Sequence, residues 1–261
     1  NPGIIANDEG LRSLCKKYSL PIENQSYKKI YKFRNFIFSN KLLSKNIYGV
    51  ILHSDDFQNL EGLNFIKNLK KNKIKIGIKF DQGRKFMSKK KLEKVSYGLN
   101  EINNKILIYK KFNCSFAKWK VEFNVYKNSV STKNINDNIK TLMNFIKVCK
   151  RNKILPMIET DLVRNSSYNL KVAKNISKKI YDYLNYNLKK KKFNTNILFK
   201  TNIIYPGYGH QFNHKISANL TNNLIASKLP QNIKKVFFLS GGEKDHRVIK
   251  TIKILYKEKN K

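Results

Sequence analysis

Seven short apolar runs, rich in β-branched and aromatic residues, recur along the chain at intervals of roughly 25 to 45 residues. They are I-I-A-N (4–7), Y-G-V-I-L-H (48–53), K-I-G-I-K-F (75–80), F-A-K-W-K-V (116–121), L-P-M-I-E (155–159), I-L-F-K (197–200) and V-F-F-L-S (236–240). Continuous apolar runs of this length predict strands buried on both faces, as in a parallel sheet. Longer stretches of helical period lie between them. Tyr27, Ile30, Tyr31 and Phe33 mark one, and Ile139, Leu142, Ile146 and Cys149 a second. Ile176, Ile180 and Leu184 mark a third, and Leu220, Leu224 and Ile225 a fourth. Strand followed by helix, seven times over, predicts an α/β fold with right-handed crossovers. A doubly wound sheet and a (β/α)8 barrel both satisfy that pattern. No G-x-G-x-x-G loop follows the first strand, which weighs against dinucleotide binding. No low-complexity linker interrupts the chain, so a single domain over 1–261 is expected. No apolar run approaches the roughly 20 residues of a membrane-spanning helix, and no membrane partner is expected.

The ends of the predicted strands carry the chemistry. Only 17 acids are present, yet Asp8, Asp55, Asp81, Glu159 and Asp161 fall at or near strand ends, with Glu243 just beyond the seventh. In a barrel those ends gather on one face, where active sites form. Acids also favour strand–helix junctions as caps and turn residues, and both readings stand at this point. Lys79, Lys118 and Lys200 end apolar runs in the same way, which is unusual for a group that prefers water. A lysine in an apolar, cation-rich site can attack a carbonyl as the free amine, and nearby carboxylates can then move protons through a carbinolamine and a Schiff base.

These segments resemble the class I fructose-1,6-bisphosphate aldolase family. The resemblance rests on G-I-I-A-N-D-E, G-V-I-L-H, I-G-I-K-F-D-Q-G, Y-K-K-F-N-C-S-F-A-K-W-K, I-L-P-M-I-E-T-D, I-L-F-K-T-N-I-I-Y-P-G and F-L-S-G-G, in that order over nearly the whole chain. It implies a TIM barrel with Lys200 as the Schiff-base lysine and Glu159 as the acid/base for its formation and dehydration. By the same resemblance Asp8 assists carbon–carbon cleavage, Lys118 and Lys79 stabilise charge or bind the substrate, and Asp161 stands where the family has a second glutamate. Lys120 and the turn Ser240, Gly241 and Gly242 would hold phosphate; a glycine-rich turn opening a helix suits an anion on physical grounds as well. A sugar phosphate is the implied ligand. No cofactor or metal is expected, because the iminium is itself the electron sink.

The departures from the family shape a second expectation. The family's eighth strand, with its phosphate-binding arginine, and its C-terminal tail are expected to be missing, leaving seven strand–helix units and an open barrel edge for neighbouring protein chains to cover. Gly10 and Leu11 replace hydroxyl residues. Lys17 and Lys120 replace arginines, which loses bidentate geometry. Asp161 is one methylene short.

Net charge strengthens that expectation. Lys+Arg is 54 against 17 Asp+Glu, a formal net charge of +37, with only six arginines. Such a surface repels itself unless a polyanion neutralises it. Lysine runs occur at Lys70, Lys71 and Lys73, at Lys89, Lys90 and Lys91, and at Lys189, Lys190, Lys191 and Lys192, among others. These predict contacts with RNA phosphates, sequence-independent because lysine acts as a point charge. On this reading the chain is a catalytically silent aldolase-like barrel turned rRNA-binding protein of an organellar ribosome, in the mitochondrion. The alternative is an active Schiff-base aldolase of glycolysis in the cytoplasm. Three cysteines without ligand spacing read as free thiols.

Overall fold

The computed structural model describes residues 3–88 and 92–257. They group into two compact units, Asn1–Phe80 with Asn100–Lys118, and Asp81–Leu99 with Trp119–Lys261. The first unit holds β1 (Gly3–Asn7), α1 (Leu11–Lys17), α2 (Asn24–Phe38), α3 (Lys41–Asn46), β2 (Ile47–Leu52), α4 (Leu60–Lys71), β3 (Lys75–Lys79), α5 (Ile102–Lys111) and the start of β6 (Phe116–Asn124). The second holds the hairpin β4 (Arg84–Ser88) and β5 (Glu93–Ser96), and the rest of β6. It continues through α6 (Thr132–Arg151), β7 (Pro156–Val163), α7 (Leu170–Lys190), β8 (Ile197–Asn202), α8 (His214–Lys228), β9 (Ile233–Leu239) and α9 (Asp245–Lys257).

All seven apolar runs become parallel strands, ordered β1-β2-β3-β6 and then β6-β7-β8-β9. Each lies beside its neighbour in the chain once the hairpin is set aside. A doubly wound sheet would reverse that order at a switch point, so the order selects the barrel type. The central strands are largely apolar because both their faces are covered. Val50, Ile51 and Leu52 are consecutive and fully buried, and Phe116, Ala117 and Trp119 in β6 are fully buried too.

In the first unit α2 and α4 pack together through Tyr31, Phe38 and Phe65, all buried. Beneath them sits a buried ion pair, Arg34 Nη1 to Asp56 Oδ1 at 2.7 Å. The Tyr31 hydroxyl donates to the same oxygen, and the His53 backbone N–H to the other at 3.0 Å. Burial pushes the Asp56 carboxyl up, and the guanidinium and hydrogen bonds hold it back only in part. The second unit buries Trp119 on Phe145 at 5.5 Å between ring centres, and Phe199 edge-on to Tyr181. The hairpin, whose polar residues gave no strand signal, is anchored on α6. There the Asn134 and Asn138 amides donate to the Lys94 carbonyl at 2.8 and 2.9 Å.

Helices α1, α3, α4, α5 and α9 lie outside the four stretches marked by apolar spacing. Among the described residues no helix is long and apolar enough to cross a membrane, and Cys15, Cys114 and Cys149 are buried free thiols.

Gly77 marks the tightest approach within the first unit's sheet. A Cβ there would stand 2.1 Å from the Phe116 ring, whereas at Gly3 it would meet nothing within 4 Å. Gly77→Ala is expected to lower stability by about 1–3 kcal/mol, the cost of overpacking. Gly3→Ala is expected to stay within about 0.5 kcal/mol. Urea unfolding of the two variants checks both.

Candidate functional site

Each unit brings part of the sequence-derived set together. In the first unit the β3–β6 register places Lys79 beside Lys118, and the Phe80 N–H donates to the Lys118 carbonyl at 2.8 Å. Lys118 is only 3% exposed. Its ammonium donates to Asp8 Oδ2 at 2.7 Å, just past the end of β1. The sequence reading therefore named both members of a partly buried ion pair 110 residues apart without predicting that they pair.

In the second unit the β7–β8 register sets Glu159 against Lys200. Lys200 is 5% exposed, and its Nζ donates to Glu159 Oε2 at 3.2 Å. Glu159 Oε1 faces a second ammonium, Lys120 Nζ, at 3.8 Å. Lys120 also meets Asp161 Oδ2 at 2.6 Å and Glu122 Oε1 at 3.4 Å. Asp161 Oδ1 accepts from the Asn202 amide at 2.9 Å, whose own oxygen accepts from the Leu162 N–H. The Arg84 Nε–H completes the cluster on Glu122 at 2.8 Å. Burial pulls the Lys120 ammonium down, but Asp161, Glu159 and Glu122 outweigh it, and the group titrates above its ordinary 10.5. The Lys120 backbone N–H donates to Asp81 at 3.1 Å, which fixes the strand carrying it.

The turn Ser240, Gly241 and Gly242 follows β9 and precedes α9, with Gly241 at φ +60° and Gly242 at φ +80°, a left-handed pair suited to glycine. It lines a cavity of about 370 Å³ with Asp161, Tyr208 and Arg164. Sequence reasoning missed Arg164. It is buried just after β7, its Nε donates to the Pro206 carbonyl at 2.6 Å, and its Nη2 pairs with Glu243 at 3.1 Å. Its scarcity could have flagged it, being one of six arginines. Glu243 also receives Arg247 at 3.3 Å and the Lys244 N–H at 3.0 Å. Those partners outweigh desolvation and hold its carboxyl below the usual range.

Two of the strand-end acids do cap and turn work. Asp55 accepts from the Leu11 N–H at 3.4 Å and pairs with His53 at 3.1 Å, and Glu243 ties Arg164 to Arg247. Lys17, expected where the family binds phosphate, is exposed and pairs with Glu9 at 3.2 Å. Among the residues expected to contact RNA, Lys70 and Lys71 end α4, and Lys73 follows it with φ +56°. Lys189 and Lys190 end α7, Lys191 caps it and Lys192 follows with φ +47°. Lys89, Lys90 and Lys91 lie outside the described residues.

The matches to known proteins run the length of the chain. A family model, fructose-bisphosphate aldolase class-I, matches residues 1–260. The fructose-bisphosphate aldolase of Encephalitozoon cuniculi is 30% identical over 249 residues, covering 92% of this chain and 72% of that protein. Fructose-bisphosphate aldolase C-A of Danio rerio is 27% identical, covering 93% and 68%. A fructose-bisphosphate aldolase structure from Plasmodium falciparum, in complex with TRAP and a small-molecule inhibitor, superposes with a TM-score of 0.88. It does so at 22% identity, over 97% of this chain and 75% of that one, which establishes the barrel fold.

These matches overturn the expectation of an RNA-binding ribosomal protein: every one of them is an aldolase, and none has an RNA-binding or ribosomal description. The physical error lay in reading partners from net charge. The runs at Lys70–Lys71 and Lys189–Lys190 end helices, where cations complement the partial negative charge of the last turn and need no polyanion. By sequence and by fold, this chain belongs to the class-I fructose-bisphosphate aldolase family.

Proposed function

We propose that this chain cleaves fructose 1,6-bisphosphate through a Schiff base on Lys200, giving glyceraldehyde 3-phosphate and dihydroxyacetone phosphate. The observation that carries this reading is the buried contact of Lys200 with Glu159, the latter shared with Lys120. Attack requires the neutral amine, and Glu159 is the acceptor in reach for the proton that Lys200 must shed. The amine adds to the C2 carbonyl and gives a carbinolamine. Protonated Glu159 returns its proton to the carbinolamine hydroxyl, water leaves, and an iminium remains. As the C4 hydroxyl loses its proton, the C3–C4 bond breaks and its electron pair flows to the iminium. The aldehyde departs and an enamine is left. Protonation at C3 and hydrolysis release the ketone and regenerate the amine.

The family resemblance gives the cleavage step to Asp8, which Lys118 holds at 2.7 Å. The Ser240–Gly242 turn offers backbone N–H groups to one phosphate. Lys120 lies 3.8 Å from Glu159 and 2.6 Å from Asp161. The net charge of +37 fits an anionic substrate, because such a field raises the encounter rate of a bisphosphate and weakens with salt.

Borohydride reduction in the presence of dihydroxyacetone phosphate should label Lys200 covalently, as read by peptide mass mapping. Lys200→Met should abolish both labelling and cleavage, and Glu159→Gln should slow cleavage by about 10²–10⁴-fold. Labelling at another lysine, or none, refutes the assignment.

Lys120→Met should destabilise the fold by about 1–3 kcal/mol at pH 7, because Asp161 loses its 2.6 Å ion pair while Glu159 and Glu122 keep Lys200 and Arg84. The wild-type contribution is fully present below the unfolded value near 10.5 and is lost as pH rises through the higher folded value. Denaturation midpoints of the two proteins should therefore converge above that pH.

A further inference from the structure

Gly241 and Gly242 have no Cβ to restrict them, so the turn they form is intrinsically loose backbone. Both are nevertheless fixed in the left-handed region, at φ +60° and +80°. Ordering such a segment costs conformational entropy. A turn that presents N–H groups to a phosphate binds more tightly when it is ordered before the ligand arrives. The fold must therefore hold this turn.

Arg164 supplies the hold by joining three segments. It follows β7; its Nε donates to the Pro206 carbonyl at 2.6 Å, in the stretch after β8, and its Nη2 meets Glu243 Oε2 at 3.1 Å, directly after the turn. The guanidinium also lies over the rings of Tyr205 and Tyr208, at 5.4 and 5.7 Å from their centres. The side chains of Arg164 and Glu243 are 7% and 6% exposed, so water competes little for the pair. Glu243 passes the constraint on through its backbone, where its N–H donates to the Ser240 carbonyl at 3.2 Å and closes the turn. Asn202 walls the turn as well. A Cβ on Gly241 would stand 3.0 Å from Asn202 Nδ2 and 3.7 Å from Arg164 Cδ. The same Asn202 amide donates to Asp161 at 2.9 Å, and Asp161 meets Lys120, the cation beside Glu159. Arg164 and Glu243 thus hold a turn that Asn202 ties to the cluster around Lys200.

We propose that Arg164 is a positioning residue for the phosphate site: acting through Glu243, it holds Ser240–Gly242 in the conformation that receives a phosphate of the substrate. This role rests on the aldolase reading for its substrate, and it requires no contact between Arg164 and the phosphate.

Borohydride trapping at Lys200 of the full chain, with dihydroxyacetone phosphate and with phosphate-free dihydroxyacetone, gives a half-saturating concentration for each. The ratio of the two measures what the phosphate contributes. Arg164→Met should lower that ratio about tenfold or more, as misplacement of a binding group does. Glu243→Gln should lower it in the same direction, and the double variant should lose no more than the worse single one, because the two side chains share one interaction. Arg164→Lys keeps the charge but cannot reach Glu243 and Pro206 with one planar group, and should recover little. An unchanged ratio in Arg164→Met, additive losses, or full recovery with lysine would each overturn the role; the last two would assign Arg164 to a direct charge effect. If Arg164→Met does not fold, Glu243→Gln alone decides, and an unchanged ratio there overturns the role. If neither compound labels the wild type, the aldolase reading fails, and amide hydrogen exchange of Ser240–Lys244 decides the clamp separately. Exchange there should be about tenfold or more faster in Glu243→Gln and Arg164→Met than in the wild type, and inorganic phosphate should slow it in the wild type but not in the variants. Equal rates, or the same response to phosphate in all three proteins, overturn the clamp.

Discussion

Glu159 sits almost wholly out of water with one oxygen toward Lys200 and the other toward Lys120. An isolated buried carboxylate is costly to keep ionised, and so is an isolated buried ammonium. Each is tolerable only in the company of the others. The local charges balance: Lys200, Lys120 and Arg84 against Glu159, Asp161 and Glu122. That balance allows a lysine to stand at the end of a buried strand. It also leaves a proton donor and acceptor beside an amine, which is the arrangement Schiff-base chemistry requires.

The same device recurs at other buried charges among the described residues. Asp56 is matched by Arg34 and Tyr31, Asp8 by Lys118, and Glu243 by Arg164 and Arg247. With only 17 acids in the chain, these pairings draw heavily on the supply. The surface is left to lysine, much of it at helix ends. The net charge of +37 is thus consistent with where the acids are needed, and carries no information about the fold or about a polyanionic partner.

Much of the architecture was legible from periodicity. The seven apolar runs became seven parallel strands, because strands covered on both faces favour apolar residues and admit charge only where a partner meets it. Helices α2, α6, α7 and α8 showed in their apolar stripes. The hairpin β4–β5 did not, since its residues are short-range, polar and half exposed, and its anchorage on Asn134 and Asn138 lies some 40 residues away. The motif segments pointed to Lys200, Glu159, Asp8, Lys118, Asp161 and Lys120 as a set of residue types.

What the sequence determined by itself was the alternation of strand and helix, and the presence of amines and carboxylates at strand ends. Which amine meets which carboxylate was decided only by tertiary structure. Strand register brings Glu159 to Lys200, and chain packing brings Asp8 to Lys118 across 110 residues. Arg164 acquired its place beside the Gly241–Gly242 turn in the same way. The physical reason is one of range: propensity and hydrophobic period act within a few residues, whereas a buried charge is stable only when its partner arrives from elsewhere in the chain.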